Sequence, residues 1–117
     1  MQNKIYVINV SLGTDLYKET SFRIPNQYKT IKGIFLFSPA KSMGSTLFGL
    51  NIDNQEVISN NFYATIIEFK GLLPISDVKF DLDIENNNQL FEIKLTRSAL
   101  NESNQIAICF ICKEQDE

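Results

Sequence analysis

The stretch "DVKFDLDIENNNQLFEIKLTR", residues 77–97, carries the pattern that decides the fold. In residues 78–84 apolar side chains alternate with charged ones, and a similar alternation returns in residues 91–96. Successive side chains of a β-strand point to opposite faces, so this spacing predicts two strands, each with one apolar and one solvated face. The intervening "NNNQ" (86–89) favours a turn, because asparagine tolerates left-handed backbone angles. The stretch therefore predicts an antiparallel hairpin with one wet face.

The two-residue period extends through most of the chain, and no stretch of twelve residues has a helical period. Strands are predicted near residues 4–12, 19–24, 31–38, 46–52, 55–59, 62–70, 77–85, 89–97 and 105–113. Tight turns are predicted around Asp53 and Asn54 and at "SNNF" (59–62), where turn-forming residues cluster. The segment 98–104 has room for one helical turn.

Eight or nine short strands in 117 residues predict a single all-β domain over residues 1–117, an antiparallel β-sandwich of about eight strands. A domain of this size buries roughly two-thirds of its unfolded surface, which is enough for its own core. A jelly roll suits eight strands best. An immunoglobulin-like sandwich is the alternative, disfavoured because the chain has no Trp and no Cys pair at inter-sheet separation.

The only two cysteines, Cys109 and Cys112, lie in the apolar stretch "QIAICFICK" (105–113). Residues three apart in a strand face opposite sides with Cα atoms about 10 Å apart, whereas a disulfide needs Cα atoms within about 7 Å. The chain has no His, so neither a zinc site of N and S ligands nor a Ser-His-Asp or Cys-His arrangement can be completed. We predict structural thiols, no enzymatic activity, no metal site and no cofactor.

Three carboxylates, Asp81, Asp83 and Glu85, line one face of a predicted strand. Calcium or glycosidase chemistry would require them to converge in a pocket. With Lys79 and Lys94 nearby, they are interpreted as a solvated, salt-bridged face.

The net charge of −3 and the pI near 4.9 argue against a nucleic-acid surface, which needs clustered Lys and Arg. Residues 1–58 carry six basic and four acidic side chains, and residues 59–117 carry five and ten. This polarity favours head-to-tail contacts between copies. The start of the chain shows no signal-peptide pattern and no stretch is long enough to span a membrane, so the sequence predicts assembly in a cytoplasm.

Four stretches, "YVINV", "IKGIFLF", "YATIIEF" and "IAICFI", are apolar on both sides of the strand, which is unusual for a sheet with one wet face. Two explanations stay open: exposed patches that bind other proteins, or central strands buried under long loops. The loop within "SPAKSMGSTLFG" (38–49) is a further candidate contact. The candidate interface residues are Tyr6, Phe35, Phe37, Lys41, Met43, Tyr63 and Ile111.

With this strand count, "FRIPNQYKTIKGIFLFSPA" (22–40) and "ICFICK" (108–113) make the chain similar to the small single jelly-roll virion proteins of bacteriophages. These are vertex (penton), spike-base or decoration proteins. The resemblance covers the general pattern of the whole chain and no signature motif, so no functional residue is carried over. It implies a virion protein that forms a cyclic homo-oligomer, a pentamer by preference, among other capsid proteins.

An alternative function is a carbohydrate-binding or lectin-like module that stacks sugars on Tyr17, Tyr28 or Tyr63, although such modules usually carry an exposed Trp, which this chain lacks. A small β-barrel enzyme is the least favoured of the three functions, because the chain has no His to act as a general base.

Overall fold

The computed structural model describes residues 3–39, 43–97 and 105–114. The strands are β1 (Asn3–Ser11), β2 (Tyr17–Phe22), β3 (Tyr28–Phe37), β4 (Leu47–Ile52), β5 (Gln55–Tyr63), β6 (Phe80–Glu85), β7 (Phe91–Thr96) and β8 (Gln105–Glu114). The connection between β5 and β6 holds a 3₁₀ turn (Ala64–Ile67) and the short helix α1 (Ile75–Val78).

The eight strands form two antiparallel sheets, sheet A in the order β1-β8-β3-β6 and sheet B in the order β2-β7-β4-β5. Strand β1 pairs with β8, β2 with β7, β3 with β6 and β4 with β5, as in a chain folded in half and then rolled up. This is the jelly roll, and the predicted all-β sandwich is confirmed. Among the described strands only β4 and β5 are consecutive neighbours, which excludes the immunoglobulin-like order.

The hairpin predicted for residues 77–97 is wrong, because its two strands belong to different sheets. Strand β6 is the edge of sheet A beside β3, and β7 lies inside sheet B between β2 and β4. Residues 86–90 therefore cross from one sheet to the other. Asn88 adopts the left-handed conformation (φ 64°) expected of an asparagine in a turn. This turn, however, connects the two sheets and does not join neighbouring strands.

Asn86 holds this crossover in place. Its side-chain nitrogen donates hydrogen bonds to the carbonyl oxygens of Ile24, Pro25 and Tyr28, at 3.1, 3.0 and 2.7 Å. The connection between β6 and β7 is thereby fastened to the connection between β2 and β3, which also passes between the sheets.

The tight turn between β4 and β5 is confirmed, with Asp53 and Asn54 both at positive φ (49° and 67°). The break predicted at residues 59–62 is wrong, since β5 is one strand that shifts register against β4. At the shift, a Cβ atom on Gly49 would lie 3.1 Å from the Asn60 Cα, so only glycine fits there without movement.

Two further strand predictions need revision. The strand predicted for residues 62–70 ends at Tyr63, where the 3₁₀ turn begins, and β6 starts only at Phe80, after α1. The helical turn predicted at residues 98–104 lies outside the described residues.

The core lies between the two sheets and includes a cluster of three aromatic rings. Phe110 of β8 contacts Phe91 of β7 edge-to-face at a centroid distance of 5.5 Å, and Phe22 of β2 lies 5.7 Å from both. Phe91 and Phe110 are fully buried. Their contact joins the middle strands of the two sheets, so packing in this cluster stabilises the sandwich as a whole.

Candidate interaction surface

The outer faces of the two sheets differ in polarity. The outer face of sheet B carries charged pairs such as Glu19 and Lys94, whose Oε2 and Nζ atoms lie 3.8 Å apart. The outer face of sheet A carries a second apolar cluster, separate from the inter-sheet core: Phe35, Ala107, Cys109 and Ile111. Sheet A is therefore the side on which an apolar interaction surface can form.

Residues 64–79, here named the covering segment, start in the inter-sheet core with Ala64 and Ile67 and then pass over this face. Phe69 and Ile75 of the segment pack on the outer cluster, and the Phe69 ring meets Phe35 edge-to-face at 6.0 Å. Phe35 and Ile111 are thus 4 % and 8 % exposed. They lie outside the inter-sheet core, as predicted, but their own chain covers most of each side chain. For these central strands, burial under a long connection is the correct explanation.

The other predicted interface residues differ in burial and location. Met43 is fully buried in the inter-sheet core, so its prediction as an interface residue is wrong. Tyr6 faces inward, half-buried, with its ring centroid 5.6 Å from that of Tyr28. Phe37 and Tyr63 are exposed by 40 % and 51 %. Lys41 lies outside the described residues.

Sequence reasoning missed the exposed residues of edge strand β1. Ile5 and Val7 are 48 % and 44 % exposed and are the register partners of Ile111 and Cys109, so they continue the outer cluster to the edge of sheet A. The stretch "YVINV" predicted Tyr6 as an interface residue, but the side chain of Tyr6 points to the opposite face of β1 from Ile5 and Val7. Counting in twos from the buried Val10 would have placed Tyr6 inside and Ile5 outside.

Further apolar side chains are exposed on the covering segment itself, namely Ile66, Leu72 and Leu73. We name Ile5, Val7, Phe37, Ile66, Leu72 and Leu73 together the outer apolar residues. Contiguous exposed apolar patches mark interaction sites on many proteins, so these residues are candidates for an interface.

A groove of about 550 Å³ separates β1 from the covering segment, with Ile5, Ile75 and Ile111 among its lining residues. Charged side chains stand on its opposite wall. Asp81 contacts Lys79, while the Asp83 carboxylate lies 3.3 Å from the Lys32 Nζ atom.

These ion pairs confirm the solvated interpretation of the acidic strand face, because the side chains of Asp81 and Asp83 are exposed and individually paired. The expected neighbour Lys94 is not among them, since it belongs to sheet B.

Cys109 and Cys112 lie on opposite faces of β8, as predicted, with Cys109 in the outer cluster and Cys112 in the inter-sheet core. Both are free and buried. Burial raises the pKa of each thiol to about 11, so both are protonated at neutral pH and are poor nucleophiles or metal ligands. Within the described ranges no three His, Cys, Asp or Glu side chains are grouped as a metal site would require.

One row across the outer face of sheet B carries two exposed tyrosines. Tyr17 pairs with Thr96, Thr96 with Leu47, and Leu47 with Tyr63, so all four side chains share one face. Three strand spacings place the Tyr17 and Tyr63 Cα atoms about 14 Å apart. Tyr28, the third tyrosine considered for sugar stacking, packs against Tyr6 instead.

Comparisons with protein-family models, curated proteins and solved structures found no match to this chain. In the part of the chain that the structure describes, no helix is long and apolar enough to cross a membrane.

Proposed function

We propose that this protein is a structural, non-enzymatic subunit of a virus particle, at a capsid vertex or as a minor or decoration protein. It acts by assembling with copies of itself and with other capsid proteins. A cyclic homo-oligomer, with a pentamer as the favoured form, is the expected unit. The jelly-roll topology agrees with the resemblance to small phage virion proteins on which the proposal draws.

The observation that carries the proposal is the set of outer apolar residues on β1, at the end of β3 and on the covering segment. Exposed apolar side chains next to a groove are typical of protein interfaces. Strands of the basic first half and the acidic second half of the chain alternate in both sheets, so apolar contacts, and not two separate charged patches, would hold the ring together.

The assembly prediction is tested on β1. Native mass spectrometry at micromolar concentration is expected to show a closed ring for the natural chain. Replacing both Ile5 and Val7 by lysine is expected to weaken association by at least about tenfold, because two desolvated contacts become charged. Both positions are exposed, so the fold tolerates the change.

The matched control is Ser21→Lys, an exposed position on the outer face of sheet B opposite Glu92. It should leave the ring intact. A natural chain that stays monomeric, alone and when mixed with capsid proteins, would contradict the assembly role.

A second candidate function, carbohydrate binding, is favoured by the row that holds Tyr17 and Tyr63. Two tyrosine rings about 14 Å apart on one face could stack on separate sugars of one oligosaccharide. On a glycan array, binding that disappears in Tyr17→Ala and in Tyr63→Ala, but persists in Tyr28→Ala, would favour this function over assembly. An array without signal would remove it.

A further inference from the structure

The covering segment contains a carboxylate that its own chain leaves incompletely paired. Glu68 forms a parallel bridge with Leu36, next to the part of β3 beyond Ile34 that β6 does not reach. This backbone pairing draws the side chain inside, where it is 4 % exposed. Among the described residues its Oε1 atom has no hydrogen-bond partner.

Lys70 does not satisfy this carboxylate. Its Nζ atom lies 3.8 Å from the Glu68 Oε1 atom, beyond hydrogen-bond distance, and its side chain is 52 % exposed. Burial raises the pKa of Glu68, and the charge of Lys70 only partly opposes this. A buried carboxylate is costly unless donors reach it, so a small rotation that brings the Glu68 carboxylate to a donor in the neighbouring groove would be favourable.

Glu68 lines a surface groove of about 290 Å³, together with the charged residues Asp77 and Lys70 and the apolar residues Ile66, Leu72 and Leu73. Two carboxylates against one ammonium leave its polar end acidic. The three apolar residues are exposed, Leu72 by as much as 86 %. The groove thus combines an acidic end with apolar walls. A lysine or arginine side chain has the complementary form, because its apolar stem can lie along such walls while its charged end reaches a carboxylate.

We propose that this groove receives a lysine or arginine side chain, flanked by apolar residues, from a protein partner. The charged end binds Glu68, and the flanking residues pack on Ile66, Leu72 and Leu73. The proposal is separate from ring formation, and every chain used in its test also carries Ile5→Lys and Val7→Lys, which weaken the ring that would otherwise cover Ile66, Leu72 and Leu73. Its failure would leave the assembly experiment unaffected.

The probe is the acetylated, amidated tripeptide Leu-Lys-Leu, titrated while the NMR methyl signals of Ile66, Leu72 and Leu73 are followed. These signals should shift together, and Glu68→Gln should weaken binding by about tenfold, because a charge-assisted hydrogen bond is lost. Asp77→Asn is the matched control: Asp77 lines the same groove but is exposed, so its loss should matter far less. Far-UV circular dichroism checks that both variants keep the fold.

Two further ligands identify what the groove recognises. The tripeptide with norleucine in place of lysine has the same stem without charge, and it should bind equally weakly to the natural protein and to Glu68→Gln. Free n-butylammonium should bind more weakly than the tripeptide, because it lacks the apolar flanks. Equal affinity of the natural protein and Glu68→Gln for the lysine peptide would overturn the inference. Tighter binding of n-butylammonium would overturn the assignment to a protein partner.

Discussion

Replacing Phe110 by alanine is expected to lower the free energy of unfolding by about 3–5 kcal/mol, the usual cost of truncating a buried phenylalanine. The ring is fully buried and contacts both Phe91 and Phe22 across the two sheets. A domain of this size is stable by only about 5–15 kcal/mol, so the variant should be close to unfolding. Urea denaturation followed by far-UV circular dichroism measures the change, because the chain has no Trp to report by fluorescence.

Phe37→Ala is the control for Phe110, since it deletes the same atoms from a ring that is 40 % exposed on the outer face of sheet A. It should cost about 1 kcal/mol or less at a concentration where the protein is monomeric. If the two variants were equally destabilised, the three-ring contact between the sheets would not be a main source of the stability of the fold.

Replacing Arg97 by methionine is expected to cost about 2–4 kcal/mol, because charged hydrogen bonds to the backbone disappear from a buried site. Arg97 is 2 % exposed. Its Nε atom donates to the Asp15 carbonyl at 2.8 Å and its Nη2 atom to the Gly13 carbonyl at 2.6 Å. Both acceptors lie in the connection from β1 to β2, so one side chain fastens the passage between the two sheets.

Two measurements separate this local role from general destabilisation. In native buffer the Arg97→Met chain should be cut before Asp15 by endoproteinase Asp-N faster than the natural chain, because the loop between β1 and β2 has lost its hydrogen bonds to Arg97.

Arg23→Met is the matched control. Arg23 is the only other arginine in the sequence, is exposed and donates a hydrogen bond to the Asn88 carbonyl oxygen. It should change stability by less than about 1 kcal/mol. Equal effects of the two variants would contradict the anchoring role of Arg97.

Alternation in the sequence predicted which side of each strand is buried but not which strand lies beside it. Ile84 and Phe91 were both placed inward correctly, yet Ile84 pairs with Ile31 and Phe91 with Phe22 and Ile52. The alternation of side chains between the two faces depends only on the pleat of the strand itself. Which strands pair with each other depends on contacts between residues far apart in the chain. A short polar connection such as residues 86–90 suits a hairpin and a crossover equally well.

The candidate surface was predictable only in part, for the same reason. Three of the four double-faced apolar stretches lie in strands of sheet A, whereas residues 63–69 do not. Nothing in the sequence distinguished Phe35, which the covering segment shields, from Phe37, which it leaves exposed. Arg97 did leave a signal. Arg97 follows the inward-facing Ile93 and Leu95 in steps of two, so the alternation predicts that its side chain is buried. A buried guanidinium needs hydrogen-bond acceptors from the protein.

The place of β8 between β1 and β3 has a consequence for how the chain folds during synthesis. Residues 105–114 leave the ribosome after the other seven strands, so until then β1 and β3 lack their shared neighbour and expose unpaired edges. Sheet A can close only after translation has passed this point, and its long-range pairings make that step slow compared with local folding. We therefore expect the nascent chain to be most prone to aggregation just before β8 emerges.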